Sequence, residues 1–153
     1  MKKPDKGEKM SELLYNKPWI LQRADSYVYR HTDGSYYFTA SVPAYDGIVL
    51  RRSDTLAGLA DAPETEIWHK HDSGIMSCHI WAPELHYIGG AWYIYYAGGD
   101  KDDVWQIRPY VLECKDEDPM TGTWTEKGKM GRADDDVFSF EAFSLDGTVF
   151  ENK

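Results

Sequence analysis

Residues 25–41 read DSYVYRHTDGSYYFTAS, two runs of Tyr, Val and Phe on either side of Asp33-Gly34. An Asp-Gly pair between alternating apolar runs is a type I′ hairpin signal, because that turn requires residues that tolerate a left-handed backbone. Residues 79–99, HIWAPELHYIGGAWYIYYAGG, repeat the arrangement with Gly89-Gly90 at the turn. Superposing Gly34 on Gly90, an offset of 56 residues, lays Tyr36-Tyr37 on Trp92-Tyr93 and FTAS on IYYA. The chain therefore carries an internal repeat that opens each time on a tight hairpin.

Working outward, short runs of β-branched and aromatic residues alternate with Gly, Asp and Pro, and helical periodicity is weak. Strands are expected at Tyr27–Arg30, Tyr36–Ser41, Ile48–Arg52 and Glu66–His69, then at Glu84–Ile88, Trp92–Ala97, Trp105–Leu112 and Thr123–Lys127. The class is all-β, in two sets of four. Four-stranded units recurring at this spacing suggest propeller blades, since one such sheet must stack on neighbours to bury both faces. A plain β-sandwich is the alternative that the pattern leaves open. After the polar stretch Gly131–Asp136, residues 139–153 (SFEAFSLDGTVFENK) resemble the opening of a third unit. The expected organisation is an N-terminal extension over 1–17 and a partial propeller over 18–153, with blades at about 18–72 and 79–130 and a third beginning at about 137.

The chain has 153 residues, a net charge of -9 and 14% aromatic residues, including 6 Trp and 11 Tyr. Such an acidic surface argues against nucleic acid or anionic membrane as a partner. Neutral, hydroxyl-rich ligands suit it better, because sugar C–H faces lie on aromatic rings and hydroxyls bond to carboxylates. Residues 1–19 lack the apolar run of a secretory leader, and no stretch reads as membrane-spanning. Cys78 and Cys114 form neither a metal-ligand spacing nor a disulfide framework, which points to a reducing, cytoplasmic setting. No cofactor or metal is expected; the acidic run Asp134-Asp135-Asp136 lacks the spacing of a calcium loop and reads as a solvated turn.

Taken one residue further, at an offset of 57, the repeat also places Asp25-Ser26 on Ala82-Pro83, and Asp146-Gly147 takes the corresponding position before the third unit's first strand. In a propeller the first strands line the central channel, so acids at their starts converge although 121 residues separate these two. Paired carboxylates are what glycoside hydrolysis needs, one activating water while another protonates the departing oxygen. Aspartate before a strand is also a common turn cap, so position alone leaves both roles open.

The segments RADSYVYRHTDGSYYFTAS, HIWAPELHYIGGAWYIYYAGG and FSLDGTVFE resemble the first three blade openings of glycoside hydrolase family 43, over nearly the whole chain from Pro18. The most specific piece is His79-Ile80-Trp81-Ala82-Pro83-Glu84. The resemblance implies a five-bladed β-propeller that inverts configuration at terminal arabinofuranosyl or xylosyl linkages of oligosaccharides. It implies Asp25 as the general base and Asp146 as the second aspartate, which orients the general acid and raises its pKa. The family's general-acid Glu has no match in this chain. Ser26 also stands where the family usually has Pro, which bears on how firmly the base is held.

Glu84 lies two residues after Ala82 and so points the same way on a strand, where it can contact substrate or anchor neighbouring backbone. His79 and Trp81 are candidate sugar contacts at the channel mouth. Trp68, Trp105 and Trp124 are expected to pack between blades, and the spacing of Glu141 supports no catalytic role. The function expected is that of a glycosidase lacking its general acid, paired with itself or with a complementary C-terminal fragment. A non-catalytic sugar-binding propeller is the alternative. A retaining fructosidase relative is disfavoured because the Asn-Asp-Pro-Asn type of motif is missing around Asp25.

Overall fold

A computed structural model describes residues 18–150, so the expected extension over 1–17 and the last three residues lie outside it. Among the described residues eight strands form two antiparallel sheets, each in chain order. The first comprises β1 (Ala24–Arg30), β2 (Tyr36–Ser41), β3 (Gly47–Ser53) and β4 (Thr65–His69). The second comprises β5 (Ile75–Ile88), β6 (Ala91–Asp100), β7 (Asp103–Cys114) and β8 (Trp124–Lys129). One 3₁₀ turn, Ala57–Ala60, lies between β3 and β4. The all-β expectation and the four-plus-four grouping agree with this arrangement. The largest difference is β5, which begins at Ile75 rather than Glu84.

The two hairpins differ in type. Gly89 and Gly90 both have positive φ (59° and 88°) between the paired Ile88 and Ala91, as a two-residue type I′ turn requires. In the first hairpin only Gly34 is left-handed (φ 93°), and its N–H donates to the His31 carbonyl across Thr32 and Asp33. This is a type I turn followed by a glycine bulge, not the expected type I′ turn. The Asp33 carboxylate accepts the Ser35 N–H at 2.8 Å and fixes the turn from within. The longer loop shifts the repeat. Tyr27 pairs with Thr39 and Glu84 with Tyr95, so first strands correspond at 57 residues and second strands at 56.

The sheets stack face to face because alternate residues of both are large and apolar. Tyr37, Ile48 and Leu50 from the first meet Leu85, Trp92, Ile94, Tyr96 and Leu112 from the second. Trp92, 1% exposed, is ringed by Tyr29, His31, Tyr37 and Tyr87 at centroid distances of 4.7–5.8 Å. Its indole N–H donates to the Glu117 carbonyl at 3.2 Å, so the large ring is buried with its polar atom satisfied. Trp68 and Trp124 pack on this core as expected. Trp105 does not; it stands 66% exposed at the start of β7. The other face of the first sheet is covered by Leu59 of the 3₁₀ turn and by Ile20, against Phe38 and Ala40.

Residues 143–150 join no ladder among the described residues. Two contacts tie them to the second sheet: Ser144 N–H to the Ile107 carbonyl at 3.1 Å, and the Thr148 hydroxyl to Glu84 at 2.8 Å.

Replacing Trp92 with Ala should cost about 3–5 kcal/mol, the usual cost of emptying a large aromatic site in a core. Urea unfolding followed by far-UV circular dichroism measures it; a loss below about 1 kcal/mol would mean that the sheets do not depend on this ring.

Candidate active site

β1 starts irregularly. Between the paired residues Ala24 and Tyr27 the register shifts by a bulge, and within it Asp25 adopts a left-handed backbone, φ 49°. Ala82 does the same in the second sheet (φ 45°) between the paired residues Trp81 and Glu84, and Asp146 repeats it with φ 56°. This conformation is unfavourable for residues with a Cβ and persists where the surroundings enforce it. Around Asp25 the enforcement is visible. The Ser26 hydroxyl donates to the Arg23 carbonyl at 3.1 Å, a closure across Asp25 that a proline could not make. Arg23 in turn grips Glu64 through Nε at 3.1 Å and Nη2 at 2.5 Å, and Arg51 Nε adds a third bond at 3.2 Å. Burial raises the Glu64 carboxyl, but the bonds from the two guanidiniums outweigh it and hold Glu64 below the ordinary range.

Asp25, Ser26, Tyr27, Ala82, Glu84 and Asp146 line one recess of about 230 Å³. Three carboxylates distant in sequence thus face a common space, with no Lys or Arg in its lining. Asp25 Oδ2 accepts a hydrogen bond from the Ser41 hydroxyl at 3.1 Å, and the Ser41 Oγ accepts the Ala82 N–H at 2.8 Å. Glu84 Oε2 accepts from Thr148 at 2.8 Å and lies 3.1 Å from His86 Nε2. The His86 ring sits between Tyr27 and Tyr95, at 5.2 and 5.7 Å. Burial first, and then the charge of Glu84, pushes the Tyr27 phenol up, so that it remains a neutral hydroxyl at the edge of the recess. A larger recess of about 310 Å³ beside Arg23 also contains Glu64 and Glu66, but Arg23 and Arg51 engage the first and His69 the second.

His79 and Trp81 do not line the three-carboxylate recess. They stack on each other at 4.5 Å and 25°, with Tyr45 edge-on to Trp81 at 5.8 Å and Trp105 at 6.0 Å from His79. His79 Nδ1 lies 3.0 Å from the Val104 carbonyl, while the Trp81 indole nitrogen is buried with no partner among the described residues. Glu141 forms an ion pair with Arg132 at 2.7 Å. Asp136 accepts bonds from the Ser139 hydroxyl and from the Ser139 and Phe138 amides, which pull its carboxyl down to about 2. The acidic run is thus a self-capping turn, and no group of metal-ligating side chains is found among the described residues.

Ser41, Thr148 and His86 were not anticipated from the sequence. A hint existed for the first alone: the repeat lays Ser41 on Ala97, a hydroxyl where the second unit has none.

The sequence pattern of the family described as Glycosyl hydrolases family 43 matches residues 15–153. The chain is 55% identical over 138 residues, 90% of its length, to an extracellular exo-alpha-(1->5)-L-arabinofuranosidase of Streptomyces avermitilis, of which it covers 27%. It is 54% identical over 91% of its length to the protein of the same description from Streptomyces chartreusis, covering 40% of it. The crystal structure of an alpha-L-arabinofuranosidase from Lactobacillus brevis superposes with a TM-score of 0.76 at 51% identity, over 88% of this chain and 42% of that one. The chain thus spans well under half the length of these relatives.

The two Streptomyces proteins are described as extracellular, which overturns the cytoplasmic reading. That reading weighed two unpaired cysteines too heavily. Cys114 is fully buried and Cys78 partly so, and a shielded thiol persists in an oxidising compartment as well as in a reducing one.

Because the folded state holds Glu64 below the ordinary carboxyl range, the bonds to Arg23 and Arg51 stabilise the fold fully above the unfolded value of about 4.3 and are lost as pH falls through the folded value. Urea midpoints measured from pH 6 to 3 should therefore drop on acidification, and Glu64→Gln should flatten that drop. An unchanged pH dependence in the variant would separate Glu64 from acid stability.

Proposed function

Since the chain belongs to glycosyl hydrolases family 43 and forms the N-terminal part of a five-bladed β-propeller, we propose that it contributes the base side of an inverting α-L-arabinofuranosidase active site, with Asp25 as the general base. The observation that carries this reading is the convergence of Asp25 and Asp146 on one recess, each from a left-handed residue at the same point of a repeat. Asp25 accepts the proton of the attacking water. Asp146 orients the general acid and keeps it protonated by like-charge repulsion. Arabinofuranosyl rather than xylosyl linkages are favoured by the descriptions of the relatives at 55%, 54% and 51% identity.

The general acid we assign to a Glu outside this chain. Glu84 is poorly suited, because Thr148 and His86 already occupy its Oε2 and Thr148 ties it to the Asp146 segment. We place the first blade at about 18–72, the second at about 79–130 and the start of a third from about 137. We assign Trp81 and His79, which stack on each other ahead of Ala82 on β5, as sugar contacts at the channel mouth, and Glu84, which lines the recess, as a substrate contact. Val137, Phe138, Phe143 and Phe150 are all at least half exposed, an apolar surface that suits the remaining blades or a second copy of this chain.

In the enzyme that contains this chain, Asp25→Asn should lower turnover of arabino-oligosaccharides by about 100-fold or more, the usual worth of a general base. An activated aryl arabinofuranoside should not rescue the variant, since the base is needed whatever the leaving group, whereas azide should. Asp146→Asn should instead pull in the alkaline limb of the pH–rate profile. Near-normal turnover by Asp25→Asn would leave that residue as a turn cap. The 153-residue chain by itself should also self-associate at micromolar concentration. A monodisperse 17.6 kDa monomer in light scattering would contradict this assignment of its apolar surface.

A further inference from the structure

We propose that Ser41 is a positioning residue for Asp25, fixing the orientation of its carboxylate through a hydrogen bond that the second sheet directs. The inference rests on the reading of Asp25 as the base. Ser41 ends β2, pairs with Ala24 across the hairpin and is 2% exposed. Its oxygen accepts the Ala82 N–H at 2.8 Å, and it can supply only one proton of its own. That proton goes to Asp25 Oδ2, at 3.1 Å. A rotating hydroxyl is thereby held in one sense. The backbone of the second sheet donates to it, and it donates to the carboxylate of the first. Asp25 Oδ1 keeps no protein partner among the described residues, so one oxygen is held and the other is available to take a proton from water.

The repeat supplies an internal comparison. In the second sheet the residue equivalent to Asp25 is Ala82, and the residue equivalent to Ser41 is Ala97, which pairs with Trp81 as Ser41 pairs with Ala24. The bulge is the same and the left-handed φ differs by only 4° (49° against 45°). The local fold therefore forms without either polar group. Acid and hydroxyl are present together in one sheet and absent together in the other, the pattern expected when the hydroxyl serves the acid rather than the bulge.

Ser41→Cys keeps the shape at a small gain in volume and replaces a strong donor with a weak one, while Ser41→Thr keeps the hydroxyl; both should fold. In the enzyme containing this chain, Ser41→Cys should lower kcat on arabino-oligosaccharides by about 10–100-fold, as small misplacements of catalytic groups do. KM should stay within about threefold. Ser41→Thr should recover most of kcat. A Ser41→Cys enzyme with normal kcat overturns the inference, as does a Ser41→Thr enzyme equally impaired at unchanged thermal stability. Asp25→Asn measured alongside keeps the two ideas apart. If it too retains turnover, the base assignment itself fails; if it is inactive while Ser41→Cys is normal, the role of Ser41 alone is lost.

Discussion

The position of every group in the candidate site depends on how the first sheet lies on the second, and that is set by the burial of Trp92. Four rings surround it: Tyr29, His31 and Tyr37 from the first sheet's side and Tyr87 from its own, all within 5.8 Å. Aromatic rings prefer tilted or edge contacts and bury large areas, so such a cluster resists sliding more than an aliphatic layer does. The innermost strands β1 and β5 are held side by side as a result. Only in that arrangement does the Ala82 N–H reach Ser41, and through it Asp25.

The second constraint is backbone shape. β5 carries register shifts between Ile75 and Cys78, Cys78 and Trp81, and Trp81 and Glu84, with a left-handed residue in each: Met76, His79 and Ala82. Each such residue costs on the order of 1–3 kcal/mol. Three in succession bend the strand and disturb its simple alternation. The strain at Ala82 shows that left-handed geometry belongs to the architecture, since alanine has no chemistry to perform there. What is particular to the first sheet, and to the segment holding Asp146, is the carboxyl placed on that geometry.

The strands were legible in the sequence because their residues alternate and their turns use glycine. The convergence of Asp25 with Asp146 was legible only through the repeat and the family resemblance; no local feature of either acid reveals it. Within the fold three features escaped, each for a physical reason. The first hairpin is one residue longer than the second, and Asp-Gly serves a glycine bulge as readily as a type I′ turn, so a single offset could not align both strands. Bulges at Met76, His79 and Ala82 carry no glycine to announce them, and β5 was accordingly read too short. Trp105 is as large and apolar as a core residue, but it lies at the start of β7, beyond the layer of side chains between the sheets.

The recess also has an electrostatic character that none of its members shows alone. Asp25, Glu84 and Asp146 line it, and Arg23, two residues before Asp25, spends its guanidinium on Glu64 in a separate space. A site with fixed negative groups and no cation favours positive charge, and under the proposed reading that charge is the oxocarbenium character of a breaking glycosidic bond. The grip of Glu64 on Arg23 then matters twice. It braces the turn that carries Asp25, and it keeps a neighbouring cation from neutralising the carboxylates on which the chemistry relies. Ser41 complements this by offering Asp25 a neutral donor in place of a charged one. A hydroxyl orients the carboxylate while leaving its charge in place, whereas a guanidinium in the same position would orient it and cancel that charge.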